Sequence, residues 1–270
     1  MTAYIGLSYI DLVFASIFLV ANGALSVWLQ LGLERQLLVA AARMVVQLLM
    51  VGLLLKVLFA AASPWLTLLA AVFMVAFAGR EIWARQQKRL AGVWGFGIGA
   101  TAMMAAGTIV TVFGLTLQIQ PEPWWSPRFA LPLFGMILGN TMTGVSLGLD
   151  TLHTTVSRER RAIEAQLLLG RSIWVSVAPS MRTALRSGFI PIINSMAATG
   201  VVSLPGMMTG QILSGVDPNE AVKYQLLIMF LIGGATGLGV LGAVFASLWR
   251  LTDDRHRLRL ERLVSDNANE

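Results

Sequence analysis

The residues that could do chemistry in this sequence are few and scattered. There is no Cys, so disulfides and thiolate metal sites are excluded. The two histidines, His153 and His256, have no partner at zinc-site spacing. Thirteen methionines include the adjacent pairs Met103–Met104 and Met207–Met208. Thioethers favour soft ions, but Met is also the flexible filler of apolar packing. No metal ligand set can be assigned. No GxxxxGK[ST] run is present to cradle a nucleotide phosphate, so any energy from ATP must come from another chain.

Polar side chains inside apolar stretches are the other candidates, because in a bilayer each needs a partner or water. They are Asp11 and Asn22, Arg43 and Gln47, Asn140 and Asp150, and Asn194. Arg43 and Gln47 are four apart and share a helix face. For Asp11 and Asp150 the plain reading is a solvated helix end. For Asn140 and Asn194 it is an interhelical hydrogen bond, with solute contact as the alternative.

The elements that must position these residues are membrane helices. Hydrophobic residues make up 56% of the chain and charged ones 13%, with a mean hydropathy of +0.71, outside the range of a soluble domain. A span needs about 20 apolar residues. Seven stretches qualify: Leu12–Leu33, Leu37–Phe59, Pro64–Gly79, Gly92–Leu117, Phe129–Leu149, Gly188–Leu213 and Leu226–Leu248. The expected fold is all-α and polytopic. Residues 1–263 form one transmembrane domain with a cytoplasmic segment at about 150–187, and 264–270 form a disordered tail. The first cation is Arg35, so the charged start of a cleavable signal peptide is missing and the first span is expected to stay. The pairs Gly135/Gly139, Gly144/Gly148, Gly206/Gly210 and Gly233/Gly237 have the spacing that lets helices approach closely.

Orientation follows from the cations. Arg35, then Arg80 to Arg89, then Arg158 to Arg186, then Arg250 to Arg262 occupy alternate connections and hold 16 of the 20 Lys and Arg residues. Those connections are expected inside, which puts the N-terminus outside and the C-terminus in the cytoplasm. Trp65, Trp124 and Trp125 then fall at the outer interface. The net charge of +6 lies between apolar spans, not on a soluble basic patch, so nucleic acid is not an expected partner.

Two stretches stand out. In RERRAIEAQLLLGRSIW, Ile163, Leu167 and Gly170 share one helix face while Arg160, Glu164 and Arg171 occupy another, as in a helix lying on the membrane surface. In SLPGMMTGQILSG, Pro205 and Gly206 should kink or break the sixth span. Freed carbonyls at membrane depth are tolerated only against protein or a water-lined cavity. Asn140, Asn194, Pro205, Gly206, Met207, Met208, Gly210 and Gln211 are therefore the candidate pathway residues. Met207 and Met208 point about 100° apart on a helix, so at most one faces a central axis.

EAQLLLG resembles the EAA loop of ABC-importer permeases, with Gln166 in place of the third Ala. SLPGMMTGQILSGVDPNEAVKYQ at Ser203–Gln225 resembles the signature of the FetB-type permease family, the membrane subunit of a bacterial ABC transporter assigned to iron export. The likeness extends to GNTMTGVSLGLD, FIPIINSMAATG and ARMVVQLL. It implies a permease of the bacterial inner membrane working in two copies with a separate cytoplasmic ATPase, which would bind the ATP and Mg. This chain would bind no cofactor itself. Arg160, Arg161, Glu164, Ala165, Gly170 and Arg171 would contact that ATPase. Iron or another metal is the implied solute. Plant relatives tied to aluminium tolerance and nucleotide-sugar transport keep another solute open, and an ATPase-independent channel or carrier is the alternative from another class.

Overall fold

The computed structural model describes residues 8–253 and 257–265. His256, Arg255 and the expected tail from 266 onward lie outside the described residues. In chain order the elements are α1 (Tyr9–Trp28), α2 (Glu34–Ala61), α3 (Pro64–Ala84), β1 (Lys88–Leu90), α4 (Val93–Phe113), α5 (Pro127–Arg158), α6 (Arg160–Leu168), α7 (Ile173–Ala198), α8 (Gly206–Leu213), α9 (Pro218–Leu251) and β2 (Leu263–Ser265). A π-helical stretch, Gly114–Ile119, continues α4. Among the described residues, six helices are long and apolar enough to cross a membrane: α1, α2, α3, α4 with its extension, α5 and α9.

The helix starts follow local chemistry. Pro64, Pro127 and Pro218 open α3, α5 and α9, where the missing N–H is one the first turn leaves unpaired anyway. Asp11 has a structural role: it completes a capping box with Ser8, accepting from Ser8 N at 2.8 Å. Ser26, the buried residue of α1, takes Leu33 N at 3.0 Å and donates to Glu34 at 3.1 Å, which fixes the turn into α2.

The core lies among α3, α4, α5, α7 and α9, with Ile82, Met103, Val145, Leu149, Val177, Val240 and Leu248 all buried. Glycines set the spacing. A Cβ at Gly99 would meet Ile82 at 2.7 Å, and one at Gly239 would meet Thr141 at 2.5 Å. Gly148, Gly233 and Gly237 likewise face Val240, Met196 and Phe189, so these small residues pack helices within one chain. Gly139, Gly206 and Gly210 have open space around them.

One end of the bundle is tied by polar contacts between the ends of α3, α5 and α9. β1 pairs antiparallel with β2, Lys88 opposite Ser265 and Leu90 opposite Leu263. This places Val264 and Ser265 in a strand, where the sequence suggested a loose tail. Arg262 donates to Arg250 O and Ala91 N to Arg262 O at 2.7 Å. Asp150 accepts from Gln87 N at 2.7 Å, so it is a tie between segments and not a freely solvated helix end. Buried His153 sits 2.9 Å from Lys88 O and 2.7 Å from Ser247 Oγ. A carbonyl can only accept, so Nδ1 carries the proton to Lys88 O, and in the neutral ring Nε2 accepts from the Ser247 hydroxyl.

Two expected boundaries move. The stretch Gly188–Leu213 is not one span: the helix is α7, it stops at Ala198, and the separate α8 begins at Gly206. Gly200, at φ +93°, and an isolated bridge between Thr199 and Ser203 divide them. The stretch 150–187 is largely helical, because α5 runs on to Arg158 and α7 already starts at Ile173. Arg182 and Arg186 thus belong to a long helix, not to a connection. Charge and Ser-rich composition in the first half of α7 hid a helix that tertiary packing holds through Val177, Ser180, Ala184 and Gly188.

Candidate functional site

The first candidate region is α6 and the turn after it. Ile163 is buried and Leu167 packs against the main core, which fixes the helix beneath the bundle as its apolar spacing required. Glu159, at the α5–α6 junction, accepts from Ser180 Oγ at 2.9 Å and ties this platform to α7. Glu164 Oε1 takes Arg160 Nε at 2.7 Å along the same helix, and that hydrogen bond, with the carboxylate's charge, raises the pKa of Arg160. Gly170 has φ +81°, a left-handed conformation that β-carbon-bearing residues avoid, so its place in the turn has a backbone reason. Arg171 N closes the turn on Gln166 O at 3.1 Å. Ala165 and Arg161 are exposed.

The sequence reading overlooked the next two residues. Leu168 is 89% exposed and Leu169 81%, at the tip of a segment otherwise rich in charge. Beside them, Glu164, Leu167, Gly170, Arg171, Arg257 and Leu258 border a groove of about 690 Å³. The run Leu167–Leu169 was the available signal, since three consecutive leucines cannot all lie on the buried side of one short helix.

The second candidate region is the far end of α7. Met196 would meet a Cβ at Gly233 at 2.5 Å, and Gly233 is near the middle of α9. So α7 ends about halfway along α9, and the non-helical segment that follows lies deep along the bundle. Its Val201 and Val202 are 94% and 82% exposed. Gly200 N donates to Ser203 O, and Ser203 N to Ala198 O. Pro205 is extended and caps α8. The break therefore begins at Thr199, before the proline that was expected to cause it. Met207 packs partly against the second core cluster and Met208 is half-buried. The Gln211 side-chain oxygen is buried without a partner.

Asn140 and Asn194 do not bond each other. Asn140 Nδ2 donates to Met136 O on its own helix at 2.8 Å, and Asn194 is exposed with no hydrogen bond among the described residues. Both are exposed. Arg43 pairs instead with Glu81 of α3 and lies over the Phe77 ring. Among the described residues, no three His, Cys, Asp or Glu side chains gather where a metal could be held.

The model of the uncharacterised protein family UPF0014 matches residues 9–251. The chain belongs to the UPF0014 family. A UPF0014 membrane protein of Synechocystis is 38% identical over 94% of this chain and 97% of the relative. The Escherichia coli protein named "Probable iron export permease protein FetB" is 32% identical over 87% of this chain and 88% of its own length. The Arabidopsis "Protein ALUMINUM SENSITIVE 3" is 30% identical over 76% and 74%. No solved structure matches the chain. As a UPF0014 member with several apolar helices, the protein is a multi-pass membrane protein.

Proposed function

We propose that this chain is the permease subunit of an ABC transporter in a bacterial inner membrane, exporting iron or another metal with ATP that a separate cytoplasmic subunit binds with Mg and hydrolyses. The observation that carries this reading is the exposed Leu168–Leu169 pair beside Glu164 and the Gly170 turn, on a short helix tied by Glu159 to α7. Two leucines held out of the core next to a charged groove suit a protein partner. A force received there passes through Ser180 into α7 and so to the break at Thr199. The name of the Escherichia coli relative supports the solute and the permease role.

A second copy belongs to the proposal. The open backbone between Ala198 and Gly206, the unpaired Asn194 and the uncrowded Gly139 all lie on the outside of a single chain. Irregular backbone is not stable against lipid tails, so these features suit a face turned toward another copy and a wet pathway between them. Asn140, Asn194, Gly206, Gly210 and the two methionines would border it.

The deciding experiment is purification of the chain from its own membrane. An ATP-hydrolysing subunit with a phosphate-binding loop should accompany it. Leu168→Ser with Leu169→Ser, or Glu164→Ala with Gly170→Pro, should lose that subunit. The leucine variant should also unfold at the same temperature, because both side chains are already exposed. Retention of the ATPase by both double variants would reduce α6 to a membrane anchor and overturn the reading.

A further inference from the structure

The outward face of α7 carries two charges among exposed apolar residues such as Trp174, Val175, Ile190 and Ile193. Its inner side is set by Val177, Ser180, Ala184, Gly188 and Ile192, all buried at helical spacing. The opposite side exposes Arg182, Thr183, Arg186 and Asn194. Arg182 and Arg186 are four apart, so their guanidinium groups share one face. At about 1.5 Å per residue they stand roughly 14 and 20 Å along α7 from Ile173. Arg186 comes two residues before Gly188, whose backbone meets Gly144 near the middle of α5.

Neither arginine has an ion-pair or hydrogen-bond partner among the described residues. The nearby carboxylates are all engaged elsewhere: α7 has none, Glu159 accepts from Ser180 Oγ, Glu164 pairs with Arg160, Asp150 is held by Gln87 N, and Glu220 pairs with Lys223. Two unpaired guanidinium groups on one exposed helix face repel each other, and a counter-ion in water at that face relieves the repulsion.

We infer that Arg182 and Arg186 form a binding site for an oxyanion, a carboxylate or phosphate group carried by the transported solute. The inference rests on the permease reading above and names the chemical class of its cargo. If this patch lies at the axis of a two-fold pair of copies, it meets itself and four guanidinium groups converge. Guanidinium forks match the two oxygens of a carboxylate or phosphate, and an anion bound there cancels the repulsion. Thr183 adds a neutral hydroxyl next to the pair. A bare metal cation is repelled by this face. A metal would leave as an anionic complex with carboxylate or phosphate ligands.

The test uses the full chain in phosphatidylcholine nanodiscs, with ferric citrate, citrate alone and ferrous ion alone as probes. Both citrate probes should bind and ferrous ion should not. Added salt should weaken binding. Arg182→Gln and Arg186→Gln should each weaken it about tenfold, the loss of one charged hydrogen bond, while Arg186→Lys should lose less. Should the Gln variants fail to fold, citrate should protect the wild-type arginines from phenylglyoxal, and modification at an unchanged rate would overturn the site. Binding of ferrous ion alone, absence of citrate binding, or equal affinity in the Gln variants would overturn it too. Displacement of citrate by phosphatidylglycerol in the discs would assign the arginines to a lipid headgroup and overturn the solute role. All these readings need no ATPase, so loss of the ATPase association would sink the permease reading without touching this result.

Discussion

Gly144 of α5 and Gly188 of α7 face each other backbone to backbone: a Cβ on the first would lie 2.8 Å from the Gly188 carbonyl oxygen, and one on the second 2.9 Å from that of Gly144. Val240 of α9 closes the third side at 2.6 Å from the Gly188 position. The three helices meet here, between the α6 platform and the break at Thr199. A shift of α7 caused at one end must pass this contact to reach the other.

Gly188→Ala should therefore destabilise the protein by about 1–3 kcal/mol, the usual effect of overpacking. Gly139→Ala, with open space around it, should be neutral or gain up to about 1 kcal/mol from helix propensity. Thermal unfolding of the two variants in detergent micelles checks the difference. Equal midpoints would mean that α5 and α7 do not approach through these glycines.

Ser247→Ala leaves the buried His153 Nε2 without its hydroxyl donor. An unsatisfied buried group of this kind costs about 1–3 kcal/mol. The lowered midpoint should come with loosened pairing of β1 with β2, since the same ring donates to Lys88 O. Hydrogen exchange at the Lys88–Leu90 amides reads this. Unchanged protection would confine the histidine to joining α5 with α9.

The chain has no Cys, so single cysteines report sidedness without background. Cysteines at Trp124 and Asp217 should react with an impermeant maleimide from outside, and those at Arg85, Arg160 and Arg257 only from inside. Labelling of Arg160 and Trp124 from the same side would reject the orientation drawn from the cations.

Met207→Leu together with Met208→Leu nearly conserves volume and should leave folding intact, since Met207 packs only partly buried against the second core cluster. If one thioether contacts the cargo, vesicle transport of metal changes in this double variant. Full flux would assign both methionines to packing. Pro205→Ala should leave the break in place, because Gly200 and the Thr199–Ser203 bridge precede it. A continuous helix in that variant, seen as lost exchange of the Val201 and Val202 amides, would return the break to the proline.

The sequence by itself determined the membrane class, the number of long apolar helices to within one, the surface helix at Arg160–Leu168 and the presence of a break before Gly206. Each is a local property: apolar length, helical spacing, or a residue that limits its own backbone. Tertiary structure decided what local pattern could not. Leu168 and Leu169 look like core until Ile163 and Leu167 are seen to fill it. Arg182 and Arg186 read as loop charges because their stretch is too polar for a span. Packing of Ala184 and Gly188 against α5 and α9 makes it a helix. The break was legible through Pro205, yet it starts at Thr199, where the left-handed Gly200 and a bridge to Ser203 end α7. Which charges are paired is a matter of distance across the fold, and spacing along the chain carries no record of it.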